Sequence, residues 1–99
     1  MNDVRVDYHW DSRPGGNIDH IRDHGLTTTM WETLYLHRHS EWTDKDDATV
    51  SVAESRLHGR LYRIVYEVDD GITPIAIIPI TGFPITGFPI PRRALRRTP

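Results

Sequence analysis

Residues 56–81 read Arg56-Leu-His-Gly-Arg-Leu-Tyr-Arg-Ile-Val-Tyr-Glu-Val-Asp-Asp-Gly-Ile-Thr-Pro-Ile-Ala-Ile-Ile-Pro-Ile-Thr81. The stretch predicts two strands joined by a tight turn. Leu61, Ile64, Val65 and Val68, with Tyr62 and Tyr66 between them, have the β-branched and aromatic bulk that suits a pleated surface. Asp69-Asp70-Gly71 is a turn signal, because glycine takes positive φ without steric cost. Ile72, Ile75, Ile77, Ile78 and Ile80 form the most apolar run of the chain and predict a central strand covered on both faces. The remaining segments need a surface to pack on, and this hairpin supplies it.

Upstream, Asp3 to Trp10 alternates around Val4, Val6 and Tyr8 and predicts a short first strand. Residues 11–16, rich in Pro and Gly, break it. Asn17 has the chemistry of an N-cap for a short helix running to about His24, with Ile18 and Ile21 toward the core and Gly25 at the C′ position. Thr29 and Glu32 have capping-box spacing for a second helix ending near Tyr35 or Leu36. Met30, Trp31, Leu34 and Tyr35 give that helix an apolar side, which core packing accounts for. His37 to Asp47 reads as an exposed loop, residues 48–53 as a strand, and Glu54 to Gly59 as the connection into the central pair.

Downstream, Ile80-Thr-Gly-Phe-Pro84 is followed at once by Ile85-Thr-Gly-Phe-Pro89. Proline cannot donate to a sheet ladder, so regular strand is not expected past Pro79. Two units fall short of a repeat fold.

The 99 residues make one domain, 1–99, with residues 82–99 a Pro/Gly-rich and Arg-rich extension. Apolar content of 37% implies a small core. With no cysteine, disulfides and thiolate chemistry are excluded. No apolar stretch is long enough to span a bilayer and the start is unlike a signal peptide, so a cytoplasmic location is expected. Residues 82–99 carry Arg92, Arg93, Arg96 and Arg97 and no acid, which leaves the rest of the chain, by subtraction from the net −2, at −6. Such a tail suits nucleic acid, an acidic partner, or simple solvation. The acidic body opposes a nucleic-acid-binding domain as such, and the aromatics form no stacking platform in sequence.

Several short stretches, in order, resemble one family. Tyr8-His9-Trp10-Asp11 is similar to the aromatic-x-Trp-Asp opening of BrnT-type toxins of the RelE/ParE superfamily. Asn17 and His24-Gly25-Leu26 resemble that family's Asn and its Lys-His-Gly-Val stretch, with Asp23 in place of the Lys. Trp31-Glu32-Thr33-Leu34 stands where the family has its second helix. His58-Gly59-Arg60-Leu61 resembles its Asp-Gly-Arg-Leu turn, and residues 91–97 resemble its arginine-rich close.

The resemblance implies a small α+β domain, RelE-like, with two short N-terminal helices packed on an antiparallel sheet. It implies a metal-independent RNA endonuclease, the toxin of a type II toxin–antitoxin system, neutralised by a cognate antitoxin protein. No cofactor and no membrane partner are expected. The sequence departs from the family where Asp46-Asp47-Ala48-Thr49 and Thr81-Gly82-Phe83-Pro84 replace arginine-bearing segments, and where Ala94-Leu95 replaces a glutamate. Those positions define the alternative, a catalytically inactive RelE-like domain acting as a protein-binding or co-repressor module. The isoleucine-rich edges around residues 75–90 suit antitoxin binding and homo-oligomer formation equally.

Metal-free RNA cleavage needs a group to take the 2′-hydroxyl proton, a donor for the leaving 5′-oxygen, and cations around the phosphorane. His24 is the first catalytic candidate, with His20 four residues earlier and Arg60 at the start of the central strand. The competing structural role for His24 is to cap the helix C-terminus. Arg22, Arg63, Arg92, Arg93, Arg96 and Arg97 are the RNA- and phosphate-binding candidates, because a guanidinium binds two phosphate oxygens at once. Arg60 and Arg63 are an odd number apart and point to opposite faces of a strand. His20/His24 and His37/His39 have metal-ligand spacings, but nothing ties the pairs together and no metal site is expected.

Overall fold

A computed structural model describes residues 5–85. The elements in chain order are β1 (Val6–Tyr8), α1 (Asn17–Arg22), α2 (Thr28–Leu36), β2 (Ser40–Thr43), β3 (Val50–Leu57), β4 (Arg60–Asp69) and β5 (Ile75–Pro84). The strands form one sheet in the order β1-β5-β4-β3-β2. This is a small α+β domain. The sheet is mixed rather than antiparallel throughout: β1 pairs with β5 in parallel, with Val6 opposite Ile75, and the other three pairings are antiparallel. A parallel neighbour needs a crossover, and residues 9–74, helices included, supply it.

The expected hairpin forms: β4 and β5 pair antiparallel, and a second, tighter hairpin precedes it. β3 runs through to Leu57 and meets β4 across a two-residue turn, His58-Gly59, whose φ angles are 53° and 79°. Two positive φ values in succession give the turn the twist of its strands, and histidine tolerates the first. At the other end, residues 70–74 form a longer link to β5, in which the Gly71 N–H donates to Asp69 Oδ1.

β5 continues past Pro79 to Pro84, contrary to the proline rule applied to the sequence. The sheet explains why. β1 covers β5 only from Ile75 to Ile77, so beyond that point the missing proline N–H costs no bond on that side. Pro79 also adjoins a bulge opposite Val65/Tyr66, where Ile80 is the unpaired residue.

Both helices pack on one face. Ile21, Leu26, Trp31, Leu34 and Tyr35 meet Ala53, Tyr62, Ile64, Tyr66 and Ile77 in a single core. Tyr62, Ile64 and Tyr66 alternate along β4 and are buried beneath the helices, while no described helix lies over Leu61, Arg63 and Val65. The run expected to be covered on both faces is β5; there Ala76 and Ile77 are buried, Ile78 is half-buried and Ile80 exposed, and the described helices cover one face. Each fully buried aliphatic side chain contributes about 1.5–3 kcal/mol of transfer free energy.

The helix ends show how local sequence serves this packing. Thr27, not Thr29, caps α2, its Oγ1 accepting from the Met30 N–H at 3.1 Å. Glu32 is thereby free to accept from Trp10 Nε1–H at 2.8 Å. Gly16 holds the N-cap position of α1, and Asn17 is its first helical residue. The Asn17 amide instead ties three segments: Oδ1 accepts from the Asp11 N–H, and Nδ2 donates to the carbonyls of His9 and Pro79. Gly25, at φ 85°, ends the first helical segment as expected, with its N–H on the Arg22 carbonyl and the Leu26 N–H on the Ile21 carbonyl.

Candidate functional site

The glycine closure of α1 aims His24 sideways at β5. Its ring centroid lies 5.8 Å from that of Phe83, tilted 57°. Phe83 stands directly opposite Arg63 on β4, and the next bond along the ladder runs from the Ile85 N–H to the Leu61 carbonyl. The start of β4, the end of β5 and the end of α1 thus meet at one end of the sheet. His24, His20, Arg22 and Arg60 are all exposed there or on α1.

The candidate residues are not equally available. Arg60 projects over the Tyr62 ring at 5.8 Å, on the helix-covered face. Arg63 is on the other face, as the odd spacing requires. There it donates from Nη2 to Glu54 Oε2 at 2.6 Å and lies 5.4 Å from the Trp42 ring centroid. Arg22 pairs with Asp19. Among the described residues no hydrogen bond or ion pair joins His20 or His24 to Arg60 or Arg63. Arg92, Arg93, Arg96 and Arg97 lie outside the described residues, as does the second Thr-Gly-Phe-Pro unit. No group of three or more His, Asp and Glu among the described residues has the geometry of a metal site. No described helix is long and apolar enough to cross a membrane.

A second polar cluster escaped the sequence reading, which treated His37–Asp47 as loop. Arg38, His39, Ser40 and Glu41 line a shallow depression of about 360 Å³ where α2 passes into β2. The Tyr66 hydroxyl donates to Glu41 Oε2, and Arg38 Nε lies 3.4 Å from Glu41 Oε1. Arg38 Nη1 donates to the Tyr35 carbonyl at 2.8 Å, and the guanidinium stacks 3.9 Å from the Tyr35 ring centroid. Behind it Tyr8, Trp10, Trp31, Tyr35 and Tyr66 pack mostly edge to face. Burial, reinforced by the Glu41 carboxylate, pushes the Tyr66 phenol well above its ordinary value. Burial also raises Tyr35, and burial with the nearby Glu32 charge pushes Tyr8 up to about 12. Both carboxylate oxygens of Glu41 are engaged, so the cluster works as a latch between β2 and the core. The one signal in the sequence was the spacing of Arg38 three residues before Glu41.

The motif residues at the N-terminal end also have structural roles. Trp10 is held by Glu32, and the Asp11 carboxylate grips the Arg13 guanidinium at 2.9 and 3.0 Å. That grip holds the Asp11 carboxyl down at about 2. No protein-family model, no curated protein and no solved structure matches the chain.

Proposed function

We propose that this chain is the toxin of a type II toxin–antitoxin pair, a RelE-like domain of the BrnT type that cuts RNA in the cytoplasm without a metal ion. The observation that carries the reading is the meeting of His24, Phe83 and the start of β4 at one end of the sheet. The ordered motif resemblance along the chain supports it. In this reading His24 takes the proton of an RNA 2′-hydroxyl. The 2′-oxygen attacks the adjacent phosphorus, the bond to the 5′-oxygen breaks, and that oxygen leaves with a proton from His20. The products are a 2′,3′-cyclic phosphate and a 5′-hydroxyl. Arg60 and the arginines of residues 92–97 neutralise the phosphorane.

A second reading has its own observation. Arg22 and Arg63 are already paired with Asp19 and Glu54, which lowers the positive charge free to meet RNA. A domain of this kind without catalysis binds the antitoxin as a protein partner or co-repressor.

Induced expression of the wild type beside His24→Ala and Arg92→Ala/Arg93→Ala, with total RNA on a gel, separates the two. Growth arrest with RNA breakdown, relieved by the substitutions at equal expression, supports the nuclease. Normal growth and intact RNA, with the protein folded and present, leave the binding module.

A further inference from the structure

We infer that the outer edge of β2 docks an extended, basic segment of a protein partner, which adds a strand beside Glu41 and Thr43. The inference stands apart from the nuclease reading, because β3 and β4 separate β2 from the β5 end where His24 lies.

Among the described residues β2 is the last strand of the sheet, and only β3 pairs with it. The Asp44 N–H donates to the Val50 carbonyl at 2.9 Å, so Asp44 and Trp42, two residues apart, face β3 in the ladder. Backbone groups alternate along an antiparallel strand, so Glu41 and Thr43 present their N–H and C=O groups outward. An unpaired row of this kind is a template for another strand, and proteins usually blunt it with proline, lysine or a covering element. β2 is short and carries one charge, Glu41, which is turned to Arg38 and Tyr66; it has no proline or lysine, and no described element lies beyond it.

The side chains say what fits. Trp42 is 42% exposed on the sheet face that no described helix covers, and Leu36, just upstream, is 68% exposed. Trp42 offers the new strand apolar contact on that sheet face. Glu41 is already met by Arg38, but in the loop that continues this edge Asp44, Asp46 and Asp47 outweigh Lys45. That balance selects a partner segment carrying lysine or arginine and disfavours an acidic one. Main-chain bonds then give the affinity, and Trp42 with the acids gives the preference.

The test uses the full chain and two short synthetic peptides, one alternating Arg and Val, the other Glu and Val. The Arg/Val peptide should bind, slow hydrogen exchange at the Glu41 and Thr43 amides, and weaken as salt is raised. Thr43→Pro removes one outward N–H and no bond to β3, and should lower affinity about tenfold with the amide spectrum of the sheet preserved. Asp46→Lys, whose side chain makes no described hydrogen bond, should weaken the Arg/Val peptide even if Thr43→Pro does not fold. Equal binding of both peptides, or protection away from β2, overturns the proposal. So does concentration-dependent protection of Glu41 and Thr43 without peptide, which would make a second copy of this chain the occupant.

Discussion

The two polar clusters use similar side chains under opposite conditions. Arg38 and Glu41 are held against buried aromatic rings, with Tyr66 fully enclosed and bonded to the carboxylate. His24 and Arg60 stand at the surface with one aromatic neighbour each. The first cluster has its donors and acceptors committed to the fold. The side chains of His24 and Arg60 are left exposed, with no described hydrogen bond or ion pair. Residue type alone does not separate a latch from a site; the enclosure does.

The most severe test of this contrast is Trp31→Ala. Trp31 is fully buried, packs on Tyr8, Trp10, Tyr35 and Tyr66, and donates from Nε1 to the Thr81 carbonyl. Its loss should cost about 3–5 kcal/mol in denaturant unfolding. A small effect would show that the aromatic shell does not lock the first cluster.

Overfilling the same shell should cost less. A Cβ on Gly82 would stand 3.0 Å from Trp31 Cδ1 and 3.2 Å from Leu26 Cδ2, neither of which has room to retreat. Gly82→Ala is therefore expected to destabilise by about 1–3 kcal/mol on the same measurement. Glu41→Ala leaves the enclosed Tyr66 hydroxyl without its acceptor and should also cost about 1–3 kcal/mol. Tyr66→Phe made in the Glu41→Ala background should add little, because the pair is already broken; full additivity would deny the latch.

Alkaline pH probes the shell without mutation. The Tyr8, Tyr35 and Tyr66 phenols are all raised above 10.0 in the folded chain. A raised phenol is held neutral by folding, so its stabilisation is whole below pH 10.0. It is lost as pH rises from there, because the unfolded chain ionises first. The Tyr8 share should disappear between pH 10.0 and about 12. Unfolding midpoints that hold steady across this range would contradict the burial of these hydroxyls.

The smallest effect belongs to the second region. His24 is exposed, so His24→Ala should change stability by less than about 0.5 kcal/mol. Under the proposed nuclease function, the same substitution should relieve growth arrest. A large loss of stability would place His24 in the latch class and remove it from the site.

Local order was well written in the chain. The alternation of Tyr62, Ile64 and Tyr66 marked β4, the stripe of Trp31, Leu34 and Tyr35 marked the buried side of α2, and Gly25 marked the end of α1. Errors fell where a contact distant in sequence outbid a local rule. Asn17 looks like a cap by type, but the carbonyls of His9 and Pro79 claim its amide. Glu32 had capping-box spacing, but Trp10 claims its carboxylate. Residues 40–43 are too short and polar to announce a strand, and only the β3 ladder makes them one.

The site was legible in part. The residue types were visible, and so was the opposite facing of Arg60 and Arg63. The ion pairs that occupy Arg22 and Arg63 were not, since pairing depends on which carboxylate the fold brings near. By itself the sequence determined the periodicities, the turn glycines and the placement of charge, because these follow from local geometry and side-chain chemistry. Tertiary structure alone decided the parallel pairing of β1 with β5, the edge position of β2 and the union of Glu41 with Tyr66. Each joins residues far apart in the chain, and their contact free energy exists only once the core has closed around them.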